Sequence, residues 1–372
     1  MAKGEDEAWL SVLRYGSLLS FPVAVDAALK LNIFEILKNN GALSAQAMLK
    51  LLASPATNPN ASSMLDRVLR LLSTETLNSL ALLQATDAED EECGVDAVNE
   101  DDNGVTDRGM KEKKKTLRYS LLPSTQYFLK DSRGISPGEW YMKTFISRVP
   151  AFTCLDRVIL EGGSGSNLAF GHVASEHVAQ HSHKLSGVME SITSVFMRQF
   201  LHLYDGLKDV ADGGCLVDVG GCTGFTLMLI LDRYEHLHGI NYDQPHIIAN
   251  APQHPRLKHV GGNMLESVPQ GDMIFMKLIL HDWEDDQCIK ILRNCKNAIS
   301  REHGKLVMAE YPVSDSIQDP VLSLQVDVLM LGSHGDKVRS AEDYQRLGLA
   351  AGFHNVEVAC IVNEYTVIEF IK

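Results

Sequence analysis

The sequence predicts a two-domain α/β protein whose carboxyl-terminal part is a doubly wound, mainly parallel sheet of seven strands. Three observations predict this fold class. A chain of 372 residues is long enough to bury two separate cores. From Cys215 onward, short apolar runs alternate with helical patterns. The run LVDVGGCTGFTLMLILDRY passes from a strand through glycines into a helix, which is typical of a nucleotide-binding α/β unit.

The elements of this part follow from the positions of the apolar runs and of the turns that flank them. Strands are predicted at 215–219, 237–242, 257–260, 272–279, 304–310, 355–361 and 364–371. Helices are predicted at 223–233, 285–299 and 341–351. In such a sheet, ligands bind outside the carboxyl ends of the parallel strands, so functional residues are expected there.

The glycine-rich segment after the first of these strands points to a cofactor. Gly220, Gly221 and Gly224 allow backbone N–H groups to come close to a ligand, where a Cβ atom would clash. The next strand, HLHGINYD, ends in Asp243, at about the twenty-residue spacing at which a carboxylate usually binds a ribose. Together these features predict an adenosine-containing cofactor, but they do not say which one.

Residues 1–133 are predicted to form a mostly helical domain, and residues 134–372 the sheet domain. Apolar residues recur at helical spacing up to Gly41, Ser44 is an N-cap candidate, and a further helix is predicted from Met64 to Leu72. The strand-like runs SLALLQA and TLRYSLL follow, so helices and a hairpin predict a winged-helix arrangement. The helices carry few Lys or Arg residues, which argues against DNA binding.

Charge and composition narrow the class of protein. The net charge of −14 argues against nucleic acid as a partner, and ten of the acids lie between residues 87 and 107. A basic run follows them, and we interpret the insertion 87–115 as a solvated hairpin tip, with a partner-docking tail as the alternative. The apolar stretch 19–29 is predicted to be too short to span a membrane. Seven cysteines without a CxxC pair predict reduced thiols in the cytoplasm.

The order of several further motifs is specific. GINYDQPHII, HVGGNM, MIFMKLILHDW and GKLVMAE follow one another, with SSMLDRVLRLL before them and AEDYQRLGLAAGF after them. Over nearly its whole length the chain resembles the plant small-molecule O-methyltransferases of the caffeic acid and flavonoid type. The resemblance implies methyl transfer from S-adenosylmethionine to a phenolic hydroxyl of a phenylpropanoid- or flavonoid-like molecule. It also implies a metal-independent enzyme that forms a homodimer through its N-terminal domain.

Two residues are candidates for the catalytic chemistry. A phenol with a pKa of about 10 must lose its proton near neutral pH, and a histidine is a suitable base. His281 directly follows the strand MIFMKLIL, at the edge where ligands bind, and Glu310 ends the next strand. The resemblance implies that His281 is the general base and that Glu310 orients it. The alternatives are structural: His281 could be an ordinary histidine at the rim of the sheet, and Glu310 could form an ordinary salt bridge.

The resemblance also implies cofactor contacts. Gly220 approaches the cofactor, Asp243 binds the ribose hydroxyls, Met264 packs on adenine, and Lys277 lies near the methionyl carboxylate. Each of these residues also has a structural alternative. Asp243, for example, could be a turn former, and Met264 could be a core residue.

The remaining predicted contacts concern the adenine amino group and the acceptor. Asn263 stands where the family has Asp, and its amide oxygen can still accept a hydrogen bond from the adenine amino group. On the substrate side the resemblance points to Met189 and Asp282. Asp282 could instead cap the following helix.

The chain departs from the family pattern at positions that matter. The third glycine is replaced by Cys222, a Trp by Leu278, and a second carboxylate beside the base by Val338. Four histidines crowd the segment that usually lines the phenolic pocket, and we favour a changed pocket wall over a metal site; they are His172, His177, His181 and His183. Two other functions therefore stay open: a weakly catalytic or inactive cofactor-binding relative that acts as a dimer partner, and a Rossmann dehydrogenase.

Overall fold

A computed structural model describes residues 2–75, 81–87, 116–172, 185–249, 251–302, 304–311, 321–335, 339–363 and 365–372. Its internal contacts divide the chain into two compact units, Met1–Ile146 and Ser147–Lys372. Most of the charged insertion 87–115 lies outside the described residues, so its role stays a prediction.

The first unit is mainly helical. Its helices are α1 (Ala2–Ser17), α2 (Ser20–Lys30), α3 (Ile33–Asn40), α4 (Ala45–Leu49) and α5 (Ala61–Leu72). Ser44 caps α4 by accepting a hydrogen bond from the Ala47 amide, as predicted. Strands β1 (Leu83–Asp87) and β2 (Leu117–Leu121) pair antiparallel, which confirms the hairpin. The winged-helix assignment itself stays a prediction.

The amino-terminal apolar segment is longer than the sequence analysis predicted. Trp9–Lys30 spans 22 residues and is long and apolar enough to cross a membrane by length and composition alone. The predicted bounds of the apolar stretch, 19–29, were therefore too narrow. Only 22% of its apolar window is buried within the chain. Several large side chains of α1 are exposed, and they are Trp9, Leu10, Val12, Leu13 and Tyr15.

The second unit contains a seven-stranded sheet in the order β5-β4-β3-β6-β7-β9-β8. The strands are β3 (Cys215–Val219), β4 (His238–Asp243), β5 (Leu257–Gly261), β6 (Met273–Lys277), β7 (Lys305–Glu310), β8 (Asn355–Val362) and β9 (Tyr365–Ile371). Strands β3 to β7 run parallel, and β9 is antiparallel to both β7 and β8. This confirms the predicted fold class, with strand bounds within two residues of the predicted ones.

The central strands form because their residues are apolar at almost every position. Parallel strands covered on both faces need such continuous runs. Leu216, Val217 and Val219 of β3 are wholly buried, as are Ile274, Phe275 and Met276 of β6. The chain moves outward from β3 through β4 to β5 and returns at β6. The switch point of the sheet therefore lies between the carboxyl ends of β3 and β6.

Helices precede the strands of the sheet and connect them in the chain. They are α6 (Pro137–Phe152), α7 (Leu155–Glu161), α8 (Gly165–Phe170), α9 (Leu185–Leu203), α10 (Phe225–Arg233), α11 (Pro245–Ile248), α12 (Asp285–Ala298), α13 (Val321–His334) and α14 (Ala341–Ala351). Helices α10, α12 and α14 were predicted, and α13 was not. Its segment LSLQVDV alternates apolar and polar residues, so the sequence carries no clear helical period there.

Candidate active site

Two turns meet at the switch point of the sheet. The glycine turn, Gly220–Gly224, follows β3, and the His281 turn, Leu278–Trp283, follows β6. Strands β3 and β6 are hydrogen-bonded neighbours. The two turns therefore lie side by side at the edge of the sheet where ligands bind in this class of fold.

The backbone of the glycine turn lies so close to neighbouring side chains that a Cβ atom would not fit. Gly220 has a φ of +75°, and a Cβ atom there would lie 2.3 Å from Cδ1 of Ile279. A Cβ atom at Gly221 would lie 2.2 Å from Oδ1 of Asn241. Cys222 of the same turn adopts the left-handed conformation with a φ of +53°. Only glycine adopts this conformation without strain, so Cys222 holds the turn at a cost in free energy.

Asp243 closes the glycine turn from the end of the neighbouring strand. Its Oδ2 accepts a hydrogen bond from the Cys222 amide at 2.9 Å, and its Oδ1 accepts one from the Gln244 amide at 2.7 Å. Asn241 donates from Nδ2 to the Cys222 carbonyl at 2.9 Å. Asp243, the predicted ribose residue, therefore also shapes the glycine turn.

A cavity of about 140 Å³ opens beside this turn. Three of the predicted site residues line it, namely Gly220, Lys277 and Met189. It is also lined by Glu190, which accepts a hydrogen bond from Thr223 Oγ1 at 3.1 Å. Further lining residues come from both turns and from the start of α10, and they include Asp218, Gly221, Cys222, Phe225, Leu278 and Ile279.

Two charged groups dominate the cavity. The carboxyl of Asp218 is buried, and its Oδ2 has no hydrogen-bond partner among the described residues. Burial raises the pKa of Asp218 to about 7, against the opposing charge of Lys277. Burial likewise lowers the pKa of Lys277, while the charges of Asp218 and Glu310 oppose that shift. The cavity therefore offers a buried acceptor and a half-buried cation to a ligand that carries both charges.

Three other predicted cofactor residues are not among those that line this cavity: Asp243, Asn263 and Met264. Asn263 folds back on its own turn, since its Oδ1 accepts a hydrogen bond from the Leu265 amide at 3.0 Å. Met264 packs against the core between the sheet and α12. This agrees with the alternative that Met264 is a core residue. The adenine-side roles of Asn263 and Met264 stay predictions.

The His281 turn is built around Glu310, which ends β7 and is 1% exposed. Its Oε1 accepts hydrogen bonds from the amides of Ile279 and Leu280, both at 2.8 Å. Its Oε2 lies 2.9 Å from Nδ1 of His281. One buried carboxylate thus holds both the backbone of the turn and the imidazole, so the predicted pair is in contact.

The pKa of His281 results from opposing effects. Burial lowers it, but the charge of Glu310, the hydrogen bond to Glu310 and the charge of Asp282 together raise it to about 9. The positive charge of Lys277 works in the opposite direction. At neutral pH the imidazole is therefore mostly protonated.

Asp282 lies on the outer side of the imidazole. Its side chain is 69% exposed, and its Oδ1 is 3.4 Å from Nε2 of His281. The following helix starts at Asp285 with Glu284 as N-cap, and Gln287 completes a capping box. The alternative in which Asp282 caps this helix is therefore wrong.

Some residues of the site were missed or cannot be placed. Asp218 lies within the apolar strand 215–219, and a carboxyl group in a buried strand was the available signal for it. Arg339, which binds the carbonyls of the His281 turn, gave no local signal. Val338 lies outside the described residues, as do three of the four histidines, His177, His181 and His183. Their predicted roles are not tested.

Comparison with known proteins assigns this fold and site to a family. The model of the O-methyltransferase domain matches residues 153–354. The chain is 33% identical to caffeic acid 3-O-methyltransferase of Catharanthus roseus over 383 residues, which covers 100% of this chain and 97% of that protein. It is also 33% identical to a flavonoid 3'-O-methyltransferase of Chrysosplenium americanum, covering 98% of each chain. The chain belongs to the O-methyltransferase family.

Solved structures agree on the fold. Human N-acetylserotonin methyltransferase, determined in complex with S-adenosylmethionine, superposes with a TM-score of 0.74 at 18% identity, covering 100% of this chain and 99% of that one. A methyltransferase of calicheamicin biosynthesis, in its S-adenosylhomocysteine-bound form, gives a TM-score of 0.73 at 20% identity and covers 98% of each chain.

Family membership confirms the predicted enzyme class, an S-adenosylmethionine-dependent O-methyltransferase. The dehydrogenase alternative is excluded by the same match. How the residues of this O-methyltransferase divide the work is a separate question.

Proposed function

We propose that this O-methyltransferase transfers a methyl group from S-adenosylmethionine to a phenolic hydroxyl of a phenylpropanoid- or flavonoid-like molecule, with His281 as general base. The observation that carries the proposal is the contact between His281 Nδ1 and Glu310 Oε2 at 2.9 Å, beside the cavity with Lys277 and Asp218. The names of the relatives, which include caffeic acid and flavonoid enzymes, support the acceptor class.

The cavity beside the glycine turn fits the amino-acid end of the cofactor. Lys277 is positioned to bind the carboxylate of that end, and the buried Oδ2 of Asp218 is an acceptor for its ammonium group. Gly220 and Gly221 leave room that a Cβ atom would fill. Asp243 would hold the ribose hydroxyls, and Asn263 and Met264 would flank the adenine ring.

For methyl transfer the protein needs only to align the acceptor with the methyl donor and to remove one proton from the acceptor hydroxyl. When bound, S-adenosylmethionine supplies a methyl group that its sulfonium has already activated. Glu310 accepts a hydrogen bond from Nδ1–H of His281, which leaves the lone pair of Nε2 in the neutral imidazole for the acceptor's hydroxyl proton. Met189 would line the acceptor side, and Asp282 would contact the acceptor or the cofactor amine.

Three further statements belong to the proposal. The transfer is metal-independent, because a histidine base and a sulfonium donor suffice for it. The enzyme acts as a homodimer in the cytoplasm. The exposed apolar side chains of α1 support dimerisation, since such a patch is covered in most stable proteins.

A methyl-transfer assay tests this function. The intact chain is incubated with S-adenosylmethionine and a panel of catechols, hydroxycinnamates and flavonoids, and methylated products are identified. A thermal-shift series with S-adenosylmethionine, S-adenosylhomocysteine and NAD runs beside it, because a bound ligand raises stability by mass action. Stabilisation by S-adenosylhomocysteine without turnover on any acceptor would instead support a non-catalytic cofactor-binding partner.

A further inference from the structure

We propose that Arg339 is a positioning residue that fixes the His281 turn from its carbonyl side; the inference rests on the proposed role of His281 as base. Arg339 is 9% exposed and directly precedes Ser340, the N-cap of α14. Its guanidinium reaches across to a turn 59 residues away in sequence. No local motif predicts this contact.

The contacts of Arg339 span the whole turn. Its Nη1 donates to the Leu280 carbonyl at 2.7 Å, and its Nη2 donates to the Trp283 carbonyl at 2.6 Å. These two carbonyls bracket His281 in the chain. The sulfur of Cys288 lies 3.3 Å from each of the same oxygens, so a weaker donor supports them from α12.

Arg339 and Glu310 hold opposite sides of one short segment. Glu310 binds the amides of Ile279 and Leu280, whereas Arg339 binds carbonyls at Leu280 and Trp283. The segment is therefore clamped at both ends, with His281 between the clamps. A displacement of about 1 Å in a reacting group can cost roughly 10² in rate, so such a clamp matters for catalysis.

The guanidinium itself is held in place. Its Nε donates to Oδ1 of Asp285 at 3.0 Å, and Oδ2 of Asp285 pairs with Arg346 at 2.9 Å. A planar guanidinium can bridge two carbonyls and a carboxylate at once, whereas a lysine ammonium acts as a point donor. This geometry is why Lys should not replace Arg339. Arg346 shares Asp285 but has no hydrogen bond to the turn among the described contacts, which makes it a matched control.

The first test compares Arg339→Lys with Arg346→Lys, alone and combined with His281→Ala. Arg339→Lys should lower turnover about tenfold or more while S-adenosylhomocysteine affinity stays unchanged, and Arg346→Lys should leave turnover unchanged. In the His281→Ala background, Arg339→Lys should cause no further loss, because its effect runs through His281. An equal loss in both backgrounds, or no loss in either, overturns the inference.

A second test does not depend on the lysine variant folding. Arg339 and Asp285 line a cavity of about 310 Å³ that also reaches His281, so a small cation can enter it. Arg339→Ala should regain turnover in millimolar guanidinium but not in methylammonium, which lacks the fork of donors. Absence of rescue in a folded Arg339→Ala protein contradicts a positioning role. If His281→Ala alone retains full turnover, the proposed function fails instead, so the two failures are distinguishable.

Discussion

The glycine turn and the His281 turn adjoin each other at one edge of one sheet, yet they differ in how completely their polar groups are paired. In the His281 turn, buried Glu310 and Arg339 bind the amides and the carbonyls. Beside the glycine turn, Oδ2 of Asp218 and Oδ1 of Asn241 are buried without a partner among the described residues.

The difference shows which half of the site is complete before ligands arrive. A buried polar atom without a partner costs about 1–3 kcal/mol, and a ligand that pairs with it recovers part of that cost. The His281 turn is therefore held in position by the protein alone, whereas the cofactor side keeps polar groups for its ligand. Backbone strain does not follow this division, since Cys222 in the glycine turn has a φ of +53° and Leu278 in the His281 turn has a φ of +56°.

Removal of the His281 side chain is expected to have the largest effect on turnover. His281→Ala should lower turnover by roughly 10² to 10⁴, the usual contribution of a general base, because the acceptor hydroxyl then keeps its proton. Cofactor affinity should not change, since the residues that line the cofactor cavity are untouched. Steady-state kinetics and calorimetry with S-adenosylhomocysteine measure the two quantities. A variant that keeps most of its turnover would assign the base to another group.

Removing the charge of Glu310 is a second test of the His281 turn, in which the polar groups are paired. Below about pH 9, kcat/KM of the parent should rise with pH, because only the neutral imidazole accepts a proton. Glu310→Gln should lower turnover by roughly 10² or more, since the amide no longer fixes the reactive tautomer.

The same variant should move the pH profile. Loss of the Glu310 charge leaves burial as the main influence on the pKa of His281, and burial lowers that pKa. The rising limb should therefore shift to lower pH while its plateau falls. A silent substitution, or a profile that keeps its midpoint near 9, would withdraw the His281–Glu310 pair. Circular dichroism serves as the control for folding.

The cofactor half should respond to Asp243 with a smaller effect. Asp243→Ala removes a charged acceptor from the ribose and also frees the Cys222 amide. A charge-assisted hydrogen bond contributes about 1.5–3 kcal/mol, so S-adenosylhomocysteine should bind tenfold or more weakly in calorimetry. The His281→Ala protein is the matched control, because its affinity should remain that of the parent. Unchanged affinity in Asp243→Ala would remove this strand end from the cofactor site.

The smallest expected effect concerns the strain at Cys222. Cys222→Gly should raise the free energy of unfolding by no more than about 1 kcal/mol, because glycine adopts a positive φ without steric cost. Thermal unfolding should therefore shift upward by only a few degrees. Asn363→Gly, at a φ of +52° in the β8–β9 hairpin, is the matched control away from the site. A loss of stability in Cys222→Gly would show that the cysteine side chain contributes more than its strained backbone costs.

Much of the fold could be predicted because its signals are local. Apolar runs and glycines marked β3 at 215–219 with the observed bounds, and helix α14 at 341–351 likewise. Helix α13 escaped because LSLQVDV alternates in a pattern that does not distinguish helix from strand. The length of the amino-terminal apolar segment was misjudged because α1 and α2 continue one another across a short turn.

The sequence by itself determined the strand ends to within two residues, and so placed His281 and Glu310 at the correct edge of the sheet. Each strand end is set by its own few residues and their alternation with turns. Only the tertiary structure decided which groups meet there. It joined Glu310 to His281 across 29 residues and Arg339 to the same turn across 59, and it turned Asp243 onto the Cys222 amide. Such contacts depend on strand order and side-chain direction, which local patterns do not encode.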